Sequence, residues 1–240
     1  MKNLKAYPAN ESWKSLYKIG GIAALLAVFL GIIEIAITFL PGGNVLPETV
    51  IDWFLLFQEN WFLSLRHLGL LNILVIALGL LTSYALYGVH RDANETYAAL
   101  ALIIFILGAA TFYGTNRAFA MLDLSNQYAA TTTDEERALL VSAGQAMLAV
   151  GRSHTPGTFI TFLFTEISSL VMSWVMLRSK IFSTVNAYAG ILGFGLLIIY
   201  ELISAFIPTF KDHAHLLAML GGLFSMVWYL MIARKLFRLE

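Results

Sequence analysis

The chain contains no cysteine among its 240 residues, and only 12% of those residues are charged. The absence of cysteine excludes disulfide bonds, thiolate metal sites, iron–sulfur clusters and a cysteine nucleophile. Soluble domains contain about twice this share of charged residues, roughly 25%. Because 59% of the residues are hydrophobic, a soluble domain of this size has too little interior to bury them. The excess must face lipid, so the composition predicts an integral membrane protein.

Charge of neither sign is in excess, because 15 Lys and Arg residues balance 15 Asp and Glu residues. Nucleic-acid binding requires a clustered basic surface, so the balance argues against nucleic acid as a partner. Membrane lipids are the expected partners. The sequence predicts no cofactor and identifies no protein partner.

Six apolar runs are long enough to cross a bilayer, which takes about 20 residues. They are Ile19–Leu40, Phe62–Val89, Tyr97–Ala120, Gly157–Leu177, Val185–Ile207 and Leu216–Ala233. The first run is too long for the hydrophobic part of a signal peptide and lacks a cleavage site, so we expect it to be retained. The sequence therefore predicts an all-α fold, with residues 1–240 forming a single bundle of six transmembrane helices.

Lys and Arg residues are concentrated on one side of this predicted bundle. Ten lie in the two termini and in the second and fourth loops: Lys2, Lys5, Lys14, Lys18, Arg91, Arg178, Lys180, Arg234, Lys235 and Arg238. Only three lie in the opposite loops: Arg137, Arg152 and Lys211. Because cytoplasmic loops carry the excess of Lys and Arg, the distribution predicts that both termini are cytoplasmic.

Two of the outer loops are predicted to contain helices. The segment Pro47–Asn60 is rich in aromatic residues, which favours a short helix in the membrane interface. The segment Thr133–Val150 begins with Thr133 and Glu136 at capping-box spacing and has one apolar side. This amphipathic helix is interpreted either as a surface helix packed on the bundle or as a lid over an outer cavity.

One short pattern occurs twice in the sequence. Glu34 lies seven residues before Pro41, and Glu201 lies seven residues before Pro208. Both are near the outer ends of predicted spans. A diverged repeat of helical hairpins, as found in transporters, and coincidence are both compatible with so short a match.

Polar and ionisable side chains of the spans collect in the outer half of the predicted bundle. The candidate residues are Glu34, Arg66, His67, Asn116, Arg117, Glu166 and Glu201. Such residues are costly in a bilayer and usually face the bundle interior. They form either a structural ion-pair network or an outward-facing cavity that binds a ligand. We expect Glu166 to be buried and to pair with a basic or polar group from another helix, with Arg66 and Arg117 as the available cations.

A metal site is a weaker possibility on the same side. His154, His213 and His215 lie there near carboxylates, and zinc sites use these ligand types. However, the sequence contains no His-Glu-x-x-His motif. His213 and His215 are two residues apart, so on one helix they would point to different faces.

Several segments together resemble a known family of small multi-span prokaryotic membrane proteins. They include residues 12–21 (SWKSLYKIGG), 127–133 (QYAATTT), 143–149 (AGQAMLA), 175–183 (VMLRSKIFS), 187–192 (AYAGIL) and 228–237 (WYLMIARKLF). The family is catalogued as domain of unknown function 4386. The resemblance covers nearly the whole chain and implies a six-span protein of the prokaryotic inner membrane. It implies no activity.

Two classes of function follow from these residues. The favoured class binds or passes a small or lipidic ligand through an outward-facing polar cavity, or serves as a membrane partner subunit. The alternative is a membrane-embedded, metal-dependent hydrolase that uses the outer His and Glu residues. The sequence leaves open whether the protein catalyses any reaction.

Overall fold

The structure is a computed structural model that describes residues 11–240, with the side chains of Glu11, Ser12, Pro208, Lys211 and Asp212 left out. The described residues form helices and no strand. The helices are α1 (Glu11–Thr38), α2 (Val50–Glu59), α3 (Trp61–His67), α4 (Leu70–Thr115), α5 (Ala118–Ala130), α6 (Asp134–Gly151), α7 (Phe159–Ser179), α8 (Thr184–Phe206) and α9 (Lys211–Leu236). The predicted all-α fold is therefore confirmed.

Five helical segments are long and apolar enough to cross a membrane, and they carry large exposed hydrophobic side chains. They are Trp13–Thr38, Leu70–Ala130, Phe159–Ser179, Thr184–Phe206 and His213–Leu236. Exposed apolar residues such as Phe29, Leu192 and Leu223 would be costly in water and are suited to lipid. The chain is thus a multi-pass membrane protein.

Helix α4 is a hairpin rather than one straight rod. Its helical geometry breaks at Asn94, where φ is −160° and ψ is 68°. Residues beyond the break fold back against those before it, because Phe105 packs on Ile76 and the Tyr113 hydroxyl donates to the Ile73 carbonyl at 2.9 Å. The first arm, residues 70–93, packs on α1, and the second arm, residues 95–115, packs on α7.

The long helices form a closed ring. Helix α1 contacts α4 and α9, α4 contacts α7, and α8 contacts both α7 and α9. Small residues permit the closest approaches: a Cβ atom at Gly20 would lie 2.3 Å from the Ala85 Cβ, and one at Gly193 would lie 2.9 Å from the Ser225 nitrogen. The glycines at 20, 21, 190, 193 and 221 are thus helix contacts, whereas Gly195 and Gly222 have no such neighbour within 4 Å.

The short helices α2, α3, α5 and α6 pack together as a cap on one end of the ring. Trp53, Phe54 and Phe57 are buried in its core against Met121 of α5. The aromatic side of α2 therefore faces other helices of the cap. The Thr49 side chain and Asp52 cap this helix reciprocally.

Helix α6 confirms the helix predicted over Thr133–Val150. The Thr133 hydroxyl accepts the Glu136 amide at 3.4 Å and donates to the Glu136 carboxylate at 2.9 Å. Leu140 and Met147 pack on the core of the cap. The helix lies against α5 and α2.

Two predicted span boundaries are wrong. The run beginning at Phe62 is divided, because α3 ends at His67 and Gly69, with φ of +90°, separates it from α4. The run ending at Ala120 is divided at Asn116 and Arg117, where the backbone leaves helical geometry before α5 begins. Hydropathy averaged over about 20 residues does not register either break, because the longer apolar stretches on both sides outweigh the few polar residues at each turn.

Candidate functional site

Arg66 links the cap to α1. Its side chain is 4% exposed, and it binds the Glu34 carboxylate through two bonds, Nη2 to Oε1 at 2.6 Å and Nε to Oε2 at 3.1 Å. The same guanidinium donates to the Gly43 carbonyl and the Thr38 hydroxyl. Planar bidentate pairing is the geometry that Arg forms best with a carboxylate. Arg66 therefore fastens α3 to the end of α1.

His154 makes a second link, between the segment after α6 and helix α8. Its Nδ1 lies 2.5 Å from Oε1 of Glu201, whose side chain is 1% exposed. The imidazole stacks on Phe162 and meets Tyr200 edge-on, with ring centroids 4.8 and 5.1 Å apart. His154 has a left-handed backbone with φ of +56°. This carboxylate is thus also held by a basic residue from outside the long helices.

The repeated sequence pattern therefore has a counterpart in the structure. Glu34 and Glu201 each lie near the cap end of a long helix, and each is bound by a basic side chain, Arg66 or His154. This shared geometry does not distinguish a repeat from coincidence. Any buried carboxylate at a helix end needs a bonding partner, so two unrelated helices would show the same feature.

Glu166 lies inside the ring and has no basic partner among the described side chains. Its exposed fraction is 8%, and its Oε2 atom has no hydrogen bond within the described part of the chain. Arg66 is bound to Glu34, and Arg117 donates to the carbonyls of Gly114 and Asn116. The prediction that Glu166 is buried is confirmed, and the prediction that it pairs with either arginine is wrong. Glu201 is close enough to repel it electrostatically.

A cavity of about 190 Å³ lies beside Glu166. Aromatic rings of Phe105, Phe162, Phe194 and Tyr229 line it, together with polar groups of Asn72, Thr165, Ser169 and Ser225. These residues come from α4, α7, α8 and α9. The cavity thus combines an apolar, aromatic wall with one acidic group and a few polar ones, a composition typical of small-molecule sites.

A second cavity, of about 180 Å³, adjoins the first on the side of α1. The two share Asn72, Val75, Ser225 and Tyr229, and Glu34 lines the second one. We refer to the two together as the central cavity. It extends between the Glu34 and Glu166 carboxylates and is surrounded by all the long helices.

Of the seven predicted residues, only Glu34 and Glu166 line the central cavity as described; Arg66 and Glu201 bind as given above, and the other three lie elsewhere. His67 packs edge-on against Trp53 in the cap, where burial and the adjacent Arg66 charge lower its pKa to about 4. Asn116 donates to the Leu68 carbonyl at 3.0 Å and accepts the Ala118 amide at 3.1 Å, so it organises the turn between α4 and α5. The Arg117 bonds described above stay within its own turn, unlike the Asn116 bond to Leu68.

The candidate metal ligands do not assemble into a metal site in the described part of the chain. His154 is in contact with the Glu201 carboxylate, while His213 lies near Phe210 and His215 near Tyr200. No three His, Asp or Glu side chains among those described are arranged to hold a metal ion.

Sequence reasoning did not identify Asn72, Ser225 and Tyr229 as lining residues. Each lies in an otherwise apolar helix, where a single polar residue usually has a local role. The sequence indicates only that polar residues of different spans lie at similar depths in the membrane. It does not indicate which face of each helix they occupy.

Neither the curated proteins nor the solved structures contain a match to this chain. Residues 21–233 match the family model described as domain of unknown function (DUF4386). Because the match covers nearly the whole chain, this protein belongs to that family.

Proposed function

We propose that this protein binds a small, mostly apolar ligand bearing an ammonium group in the central cavity, with Glu166 as its acidic contact. The observation that carries the proposal is the buried Glu166 carboxylate, which has no cation partner among the described side chains and lies in an aromatic-lined cavity. A buried carboxylate needs a hydrogen bond, a countercharge or a proton. An ammonium ligand would supply both a hydrogen bond and the countercharge.

The aromatic walls favour the same kind of ligand. Cations are attracted to the faces of aromatic rings, and four rings line the cavity beside Glu166. Glu201 adds negative potential near the site, although His154 binds one of its oxygens. A neutral ligand of the same shape would gain the apolar contacts but not these electrostatic ones.

The volume of the cavity sets the choice of probe. About 190 Å³ beside Glu166 suits a ligand with one aromatic ring. Phenethylamine is such a probe, and 2-phenylethanol is its neutral counterpart with a hydroxyl in place of the ammonium group. Ligand-observed NMR titrations of the purified protein in detergent, corrected for empty micelles, compare their affinities.

Glu166→Gln is expected to weaken phenethylamine binding by at least about tenfold while changing 2-phenylethanol binding little, because truncating one partner of a buried charge pair costs about 2 kcal/mol or more. Glu95→Gln is the matched control, since Glu95 is exposed near the hairpin turn. Equal phenethylamine affinity in wild type and Glu166→Gln would refute the proposal, as would equal wild-type affinity for the two probes.

We also propose that the chain crosses the membrane six times with both termini in the cytoplasm of a prokaryotic cell. The hairpin supports the sixth crossing, because the two arms of α4 are roughly 36 and 32 Å long at 1.5 Å per residue, enough to cross the bilayer core of about 30 Å. The interface position of α2 belongs to the same proposal and is supported by its exposed residues Ile51 and Leu55.

The charge distribution supports this orientation. Arg66 and Arg117 lie in or beside the cap. They raise the number of Lys and Arg residues on that side from three to five, against ten at the other end. Lys2 and Lys5 of the ten lie outside the described residues. Reporter fusions after Glu240 and within the turn at 131–133 are expected to report the cytoplasm and the outside, respectively. The reverse result would contradict the orientation.

A further inference from the structure

A separate pocket lies at the end of the ring opposite the cap, between the start of α8 and the end of α9. Its volume is about 270 Å³. The polar part of its lining consists of Ser183, Asn186, Arg234, Lys235 and Arg238. We refer to it as the basic pocket.

The positive charge of the basic pocket is not balanced by neighbouring acids. No Asp or Glu lines it, and its three cations form no ion pair with any described side chain. The last residue of the chain, Glu240, binds Lys18 at 2.8 Å instead. Three cations around one pocket repel each other unless an anion enters, so the pocket favours a negatively charged ligand.

Asn186 gives a second, independent indication of a ligand. Its exposed fraction is 1%, and its Oδ1 atom has no hydrogen-bond partner. Buried side-chain amides normally bond at both ends, and the oxygen and nitrogen of an amide are assigned rather than observed. With either assignment, a buried amide in the pocket lining has unused hydrogen-bonding capacity.

The backbone at the start of α8 also favours an anion in the basic pocket. The Ser183 hydroxyl caps α8 by accepting a hydrogen bond from the backbone N–H of Asn186 at 3.2 Å. The other N–H groups of the first turn have no intrahelical partner. The N-terminus of a helix carries partial positive charge and favours anions. This helix end therefore adds to the field of the three basic side chains.

We propose that the basic pocket binds a phosphate group. A phosphate has several acceptor oxygens and negative charge, which match guanidinium and ammonium donors, a side-chain amide and a helix N-terminus. Basic pockets between transmembrane helices are known to receive lipid head groups. The phosphate of an anionic phospholipid and free phosphate are the two sources of this chemistry.

The experiment compares retention of phosphatidylglycerol and phosphatidylcholine by the purified protein, measured by native mass spectrometry after exchange in mixed micelles. Wild type is expected to retain phosphatidylglycerol preferentially. Arg234→Gln with Arg238→Gln is expected to reduce that retention about tenfold or more, because each cation near a lipid head group is worth about 1 kcal/mol. Lys14→Gln with Arg178→Gln removes equal charge at the same end outside the pocket, at residues that form no ion pair with a described side chain, and is expected to change retention little.

Two further measurements keep the result interpretable. Asn186→Leu preserves every charge and is expected to weaken phosphatidylglycerol retention about threefold. Thermal unfolding of each variant identifies any that has not folded. Stabilisation of wild type by inorganic phosphate, absent in the double arginine variant, would identify free phosphate as the source, whereas retention of phosphatidylglycerol without such stabilisation would identify the lipid. Equal retention by folded wild type and double arginine variant, with no phosphate stabilisation, would overturn the proposal.

Discussion

Arg66→Ala is expected to lower the free energy of unfolding by about 2–3 kcal/mol, less than the about 3–5 kcal/mol typical of a fully buried pair, because Arg66 is buried whereas the Glu34 side chain is 43% exposed. The Arg66 side chain is 4% exposed and binds both oxygens of Glu34. It also provides the donors that satisfy the Gly43 carbonyl and the Thr38 hydroxyl. The alanine variant leaves these acceptors unpaired and creates a void under α3.

The measurement is denaturant or thermal unfolding in micelles, followed by circular dichroism. Arg66→Lys is expected to have a smaller effect, since it keeps the charge but not the bidentate geometry. Arg117→Ala is the matched control, because Arg117 bonds only to carbonyls of its own turn and its removal should cost about 1 kcal/mol or less. Equal losses for the two alanine variants would contradict a special role for the Arg66–Glu34 pair.

His154→Ala is expected to lower the free energy of unfolding by a comparable amount, about 3 kcal/mol, because it leaves a buried carboxylate without its partner. Glu201 is 1% exposed, and its Oε2 atom already has no hydrogen bond. Only the 2.5 Å contact with Nδ1 of His154 offsets these costs among the bonds described for Glu201.

A double-mutant cycle separates this pair from other effects of the substitution. In a Glu201→Gln background, His154→Ala should cost about 1–3 kcal/mol less than in wild type, the range expected for residues in contact. His154→Asn controls for the left-handed backbone, which Asn tolerates better than most residues. If His154→Ala were equally costly in both backgrounds, the loss would come from the loop rather than from the contact between His154 and Glu201.

The local features of the fold were predictable because they depend on neighbouring residues. Apolar runs of about 20 residues identify membrane helices, since every backbone polar group must be satisfied within the segment. Thr133 and Glu136 indicated the start of α6, because capping depends on residues three apart. The breaks at Gly69 and Asn116–Arg117 were not predictable from hydropathy, which averages over a window and does not detect a single turn.

The residues of the candidate site were also predictable only in part from the sequence. Residue type and depth along each span identified Glu34, Glu166 and Glu201 as buried or partly buried acids that need partners, because that need follows from the cost of charge in a bilayer. Which partner each one meets depends on how the helices rotate and pack. Arg66 and His154 reach Glu34 and Glu201 from the cap and from the segment after α6, at sequence separations of 32 and 47 residues. Glu166 was left facing a cavity, because the helices around it present aromatic rings and hydroxyl groups instead of a cation.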